Sequence, residues 1–259
     1  MKNQPKQEYI PQAGDYLWRL VKLASLGSLF FSLSAAGFIQ GGTEDLHAPP
    51  LVWKISLIMS FLCFIATWIA YIPFRKTDRL LGNGLLGMFA LLGFFWLFGF
   101  AMFYFYFLFA EINNWFRAIV LFGVTTALAY RCWIIFNDIK QAFASQKTLL
   151  SRIYIDEGSA LTYRREAVGL LEEVRPERSP FKDWYVNIVI LMIPFTLVWD
   201  RLLTPVVGAS HGVFLVLAFL VVPLLLWGAG IVVQFIVLMI YYPLKLERET
   251  GKPVLMKNW

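Results

Sequence analysis

The sequence is poor in the side chains that carry most enzyme chemistry. Charged residues make up only 15% of its 259 positions, and it has two histidines and two cysteines. Cys63 and Cys132 lie inside apolar stretches and form no CxxC pair, so we expect neither a disulfide framework nor a thiol-redox centre. The sequence also lacks a Walker A loop, an HExxH motif and a Rossmann glycine pattern. We therefore expect no cofactor.

Apolar residues are abundant instead. They make up 59% of the chain, whereas a soluble domain is usually about half apolar and about a quarter charged. A soluble protein of this length could not bury so much apolar surface, so lipid must be the solvent for much of it. The net charge of +6 would favour nucleic acid as the partner of a soluble protein. For a membrane protein we expect the lipid bilayer as a partner and no nucleic acid.

Six stretches are long enough, or nearly so, to cross a bilayer. A spanning helix needs about 20 mostly apolar residues. Helix is the expected form because lipid offers no hydrogen-bond partners to the backbone. The stretches are residues 23–40, 51–74, 80–110, 118–136, 184–199 and a long tract that ends near Leu244. The sequence therefore predicts an all-α, polytopic helical membrane bundle.

The last tract allows two interpretations. Residues 202–244 contain no Lys, Arg, Asp or Glu, but they include Pro205, Gly208 and Pro223. Two short spans broken at Pro223 would give seven crossings and place the C-terminus outside. One long helix from about Gly212 to Tyr242 would give six crossings and place the C-terminus inside.

The distribution of basic residues favours six crossings, because cytoplasmic loops carry an excess of Lys and Arg. With six spans, 20 of the 23 basic residues lie on one side, and Lys54, Arg117 and Arg201 lie on the other. Seven spans would move the basic C-terminal tail to the wrong side. We therefore predict six transmembrane helices with both termini in the cytoplasm, and a bacterial inner membrane as the location.

The predicted topology divides the chain into three parts. Residues 1–136 hold the N-terminal tail and four spans, residues 137–183 form a cytoplasmic loop, and residues 184–259 hold two spans and the C-terminal tail. The loop is too small for an independent catalytic domain. It is the part of the chain best suited to dock a partner or to contact anionic lipid.

Three elements are expected in this loop. Its start, with Ile139, Phe143 and Leu150, continues the fourth span as an amphipathic helix. Residues 152–163 alternate apolar and polar side chains around Asp156-Glu157-Gly158-Ser159, which predicts a hairpin. Residues 163–174 predict a short, highly charged helix.

Small residues in the first span form a candidate packing face. Ala24, Ser28, Ser32 and Ala36 recur every four residues and lie on one side of a helix. Small side chains at this spacing let two helices approach closely, and serines can hydrogen-bond across the contact. The pattern predicts a helix contact, with the partner either in the same bundle or in another subunit.

Ionisable residues near the span ends form a candidate polar or ion-pair site. These residues are Glu111, Arg117, Arg131, Asp200, Arg201 and His211. The 184–199 span would rise about 24 Å at about 1.5 Å per residue, less than the roughly 30 Å of hydrocarbon. Asp200 and Arg201 are therefore expected at the interface, paired with each other or with Glu111 and Arg117. A structural ion pair is favoured over a transport site.

Catalytic and metal sites have little support. Gly208-Ala209-Ser210-His211-Gly212 fits the GxSxG pattern, but no histidine follows His211 and no strand precedes Ser210. A small-residue turn before a helix explains the string better. The acidic residues and histidines of the outer loops match no metal-ligand spacing, so no metal site is expected.

Three functions remain as hypotheses. The first is a non-enzymatic membrane protein that acts by binding another protein, as a subunit of a membrane assembly or as an inhibitor of a membrane-acting toxin. Its partner is a different protein or a second copy of the chain. The second is a small transporter or oligomeric channel. The third, a membrane-embedded hydrolase, has the least support.

Overall fold

The computed structural model describes residues 15–164 and 211–256, together with residues 166, 169, 171, 187, 198 and 201. Within these ranges, five helices are long and apolar enough to cross a membrane. They are α1 (Asp15–Asp45), α2 (Leu51–Tyr71), α3 (Leu80–Phe109), α4 (Asn114–Ser145) and, after the short helix α5 (Lys147–Ile153), α6 (His211–Thr250). The all-α prediction is confirmed, and the five apolar helices support the prediction of a multi-pass membrane protein.

Two of the long helices contain π-helical segments. In α3, α-helix Leu80–Phe95 is followed by a π segment, Trp96–Tyr104, and by α-helix Phe105–Phe109. In α6, the π segment Ile236–Tyr241 separates His211–Phe235 from Tyr242–Thr250. A short 3-10 turn, Ile72–Phe74, extends α2.

The spans predicted from hydropathy differ from the helices mainly at their ends. Helices α1 and α4 are longer than the apolar runs 23–40 and 118–136, because a helix continues into polar residues once it leaves the hydrocarbon. Helix α4 continues through the predicted boundary at residue 136 and includes Ile139 and Phe143, whereas Leu150 lies in α5. The prediction of one long final helix is confirmed, with Pro223 inside it. The predicted span 184–199 and the helix 163–174 lie largely outside the described residues.

Ring contacts fix the relative direction of the helices. Near the start of α1, Trp18 packs on Trp68 and Tyr71 at the end of α2, with ring centroids 5.7 and 5.9 Å apart. Near the end of α1, Phe38 meets Phe214 at the start of α6 at 5.2 Å. A shared apolar cluster joins the starts of α1 and α3, and a short loop joins α3 to α4. Helices α1 and α3 therefore run one way, and α2, α4 and α6 run the other. We call the end with the start of α1 the basic end, and the other the opposite end.

Helix α3 lies at the centre of the described bundle, and glycines bring its neighbours close. A Cβ on Gly93 would lie 2.7 Å from both the Cα and the carbonyl oxygen of Ser28 in α1. A Cβ on Gly84 would lie 2.9 Å from the carbonyl oxygen of Met239 in α6. Side chains larger than hydrogen have no room at these two crossings.

Three short strands form a sheet at the basic end. They are β1 (Tyr154–Asp156), β2 (Leu161–Tyr163) and β3 (Val254–Met256), in the order β1-β2-β3. Strands β1 and β2 are antiparallel and enclose Gly158, which has a φ of 89°, so the predicted hairpin is confirmed. Strand β3 pairs with β2 in parallel. This third strand, from the C-terminal tail, was not predicted.

Candidate functional site

The sheet is the centre of a solvent-facing structure that we call the platform. It comprises the loop 75–79 between α2 and α3, the β1–β2 hairpin, and residues 245–256. Backbone contacts join these three parts of the chain. Leu255 in β3 forms an isolated bridge with Arg79, and the Met256 amide donates to the Asp78 carbonyl at 2.8 Å. Strand β3 is therefore held on both of its edges.

Polar side chains reinforce the position of the C-terminal tail. The Lys252 ammonium donates to both carboxylate oxygens of Asp156 at 2.7 Å. That hydrogen bond, with a second one from the Gly158 amide, lowers the pKa of Asp156 below its usual value. The Val254 amide donates to the Glu247 carboxylate at 2.9 Å, and the Asn83 side chain donates to the Met256 sulfur at 3.0 Å. The tail is thus attached to the hairpin, to α6 and to α3.

The inner side of the platform is part of the protein core. The Tyr154 hydroxyl donates to the Leu238 carbonyl in the π segment of α6 at 2.5 Å. The ring of Tyr163 packs beside Tyr154 at 5.6 Å, and burial raises the pKa of Tyr163 to about 12. The surrounding apolar cluster includes residues of the sheet and of α3, α4 and α6, among them Leu80, Ile139, Val237 and Val254. The sheet is therefore packed onto the helices and does not form a separate lobe.

The outer side of the platform is charged and predominantly basic. We include the adjoining ends of α5 and β2 in this surface. Its exposed cations are then Arg75, Lys76, Arg79, Arg152, Arg164, Lys245 and Arg248. Its exposed acids are Asp156, Glu157 and Glu249. Such a surface suits electrostatic binding of an acidic partner. In the described ranges, no three His, Cys, Asp or Glu side chains come together as metal ligands would.

The small residues of the first span are buried inside the bundle. Ala24, Ser28, Ser32 and Ala36 are each at most 4% exposed. Ser28 lies against Gly93 of α3, and the Ser32 hydroxyl donates to the Ser28 carbonyl at 2.7 Å. The close approach at this point is thus made to a helix of the same chain.

A face of hydroxyl residues on α2 was missed by sequence reasoning. The buried residues of α2 are Ser56, Ser60 and Thr67. The Trp96 indole donates to the Ser56 hydroxyl at 2.7 Å and joins α3 to α2. The signal was present in the sequence, because positions four and eleven residues after Ser56 fall on the same side of a helix.

The candidate ion-pair residues are not gathered into one site within the described part of the chain. Glu111 and Arg201 are exposed, and the guanidinium of Arg117 donates to the Ala110 carbonyl at 2.7 Å. No ion pair joins these three charged residues in the described ranges. His211, at the start of α6, packs its ring against Tyr106 at 6.1 Å.

The remaining sequence candidates lie elsewhere. Arg131 is half-buried in α4, toward the basic end. Asp200 and Ser210 lie outside the described residues. The structure thus brings together no nucleophile, base and acid among the described candidates.

Comparison with known proteins adds no family to this picture. No protein-family model, curated protein or solved structure matches the chain. A function for this chain therefore has to be argued from its own residues and geometry.

Proposed function

We propose that this chain is a non-enzymatic membrane protein that binds another protein through its platform. The observation that carries the proposal is the way the platform is built. Three segments far apart in the chain are fastened together by backbone pairing and by the Lys252–Asp156 contact. A preorganised surface loses less conformational entropy on binding than a flexible loop does, so rigid construction favours a docking role.

The charge of the platform indicates the character of the partner. Exposed cations outnumber exposed acids, and the acids Asp156 and Glu249 are paired with Lys252 and Lys245. An acidic protein surface complements this arrangement and would be steered to it by long-range attraction. The partner is either a different membrane or cytoplasmic protein or a second copy of this chain.

The proposed topology has six crossings with both termini in the cytoplasm of a bacterial cell. Arg164 follows β2 at the basic end, whereas His211 contacts Tyr106 at the opposite end. Residues 165–210 therefore connect the two ends, which supports one further crossing in addition to the five described helices. The exposed basic residues of the platform support a cytoplasmic basic end.

A transport function has less support. Among the described spans, Lys54 lies near the start of α2, and Arg131, midway along α4, is a base and not an acid. Intramembrane acids are the usual carriers in proton-coupled transport. The hydroxyls of α1 and α2 are mostly bonded to carbonyls of their own helices, as for Ser32 and Ser60. Such hydroxyls serve close packing better than they serve a pathway.

Purification from native membranes in a mild detergent tests the proposal. We expect wild-type protein to co-purify with a stoichiometric partner or as a defined oligomer. Arg248→Glu, which reverses an exposed charge of the platform, should weaken the complex by about tenfold or more, as for other charge reversals in an interface. Lys54→Glu, which makes the same change at the opposite end, is the matched control. A wild-type chain that elutes alone as a monomer would overturn the proposal.

A further inference from the structure

A groove runs along the part of α2 nearer the basic end, on a side where none of the described helices covers it. It has a volume of about 380 Å³ and is lined by Phe64, Ile65, Trp68, Ile69, Ile72 and Arg75. This volume falls in the range of about 300–1,000 Å³ that is typical of ligand sites. The isoleucines of the groove are exposed, so the groove opens toward the surrounding lipid. Its walls are apolar except at one end, where Arg75 lies.

The length of the groove corresponds to one leaflet of a bilayer. From Phe64 to Arg75 the helix rises about 16 Å, at about 1.5 Å per residue. Half of the hydrocarbon core is about 15 Å thick. An acyl chain in the groove would therefore lie along Phe64 to Ile72, and its headgroup would reach the level of Arg75.

Aromatic side chains line the groove on its way to Arg75. Trp18 packs against Trp68 and Tyr71, and the Lys22 ammonium lies over the Trp18 ring, 4.3 Å from its centroid. Trp and Tyr rings concentrate at the membrane–water interface. Among the described residues, neither Arg75 nor Lys22 forms an ion pair with a carboxylate. The polar end of the groove thus presents positive charge that the described chain does not neutralise.

We propose that this groove is a specific site for an anionic phospholipid. The acyl chain lies along the apolar wall, and the phosphate is bound by the Arg75 guanidinium at its polar end. Arginine suits this role because its planar fork can donate two parallel hydrogen bonds to phosphate. Arg75 also belongs to the platform loop 75–79, but lipid retention is measured without the protein partner, so it tests this site independently of the proposed protein binding.

Lipid retention measures the proposed site directly. The protein is reconstituted in nanodiscs of phosphatidylcholine alone or mixed with phosphatidylglycerol, re-extracted in mild detergent and examined by native mass spectrometry. Wild type should retain phosphatidylglycerol in preference to phosphatidylcholine. Arg75→Gln should reduce that retention about fivefold, the amount expected for one basic residue at the membrane surface.

Matched variants distinguish a site from general charge attraction. Lys140→Gln removes an exposed charge at the same end of the bundle, on α4, and should leave retention unchanged. Arg75→Lys should keep most of the preference for phosphatidylglycerol. The melting temperature of each variant in phosphatidylcholine nanodiscs checks that it folds. Equal retention of the two lipids by wild type would overturn the proposal. So would a loss in Lys140→Gln as large as that in Arg75→Gln. If Arg75→Gln does not fold, the wild-type preference and the Lys140→Gln result decide.

Discussion

Lys252 and Asp156 lie 96 residues apart in the sequence, and the Lys252 ammonium is 2.7 Å from each carboxylate oxygen of Asp156. One residue belongs to the C-terminal tail and the other to the hairpin after α5. The contact therefore links the two ends of a long stretch of chain at one point on the platform.

Lys252→Gln should increase the local opening of the C-terminal strand without unfolding the protein. Both side chains are partly exposed, so the contact is weakened by solvent and is expected to change local opening by at most about fivefold. Hydrogen exchange of the peptide that contains Val254–Met256 measures this opening. Lys245→Gln, which removes an exposed lysine of the same tail, is the control and should leave exchange of that peptide unchanged.

The same contact predicts a dependence on pH. The pKa of Asp156 is lowered in the folded protein, mainly by the hydrogen bond from Lys252. The stabilisation that the ionised Asp156 carboxylate provides is therefore fully present above the pKa of the unfolded chain, about 3.9. It is lost as the pH falls through the lowered pKa of the folded protein. The ratio of tail exchange in Lys252→Gln to that in wild type should stay above one at neutral pH. It should approach one in acid, and a ratio that rises in acid would contradict the assignment.

Two buried tyrosines offer a matched test of the sheet's attachment to α6. Tyr154→Phe removes the donor to the Leu238 carbonyl and should destabilise the protein by about 1–3 kcal/mol, because a buried acceptor is left without a partner. Tyr163→Phe removes a buried hydroxyl that has no hydrogen-bond partner among the described residues, so it should be neutral or stabilising. Thermal unfolding in detergent measures both. Equal losses of stability in the two variants would show that the hydrogen bond from Tyr154 to Leu238 does not stabilise the protein.

The crossing of α1 and α3 should be intolerant of any side chain at Gly93. The Cβ of Gly93→Ala would meet the backbone of Ser28 at 2.7 Å, and backbone cannot rotate away. Overpacking of this kind costs about 1–3 kcal/mol. Gly123→Ala in α4 is the control, because its Cβ meets nothing within 4 Å. The melting temperature should fall for the first variant and remain or rise for the second.

Local patterns in the sequence were sufficient to predict the hairpin and the last helix. The hairpin follows from alternating side chains around Gly158, and the last helix follows from an uncharged tract and the charges after it. Strand β3 left no comparable signal. It has three residues, and its partner Leu161 is far away in the sequence, so its pairing depends on the tertiary fold.

The glycines of α3 show a second reason why helix packing could not be predicted from the sequence. Gly87, Gly93 and Gly99 are six residues apart, a spacing that does not hold one helix face. In the structure, Gly93 meets Ser28 of α1, whereas a Cβ on Gly87 would meet Phe235 of α6. A helix surrounded by neighbours places glycines on several faces. A search for one glycine face therefore fails for a central helix.

Labelling of single cysteines tests the proposed orientation of the bundle. Ser159 in the hairpin and Glu111 between α3 and α4 are both exposed and lie at opposite ends. In a background with Cys63 and Cys132 replaced by alanine, Glu111→Cys should react with a membrane-impermeant maleimide in intact bacterial spheroplasts. Ser159→Cys should react only after the membrane is permeabilised, because the proposed topology places the basic end in the cytoplasm. The reverse pattern would place the platform outside the cell, and any cytoplasmic partner would then be excluded.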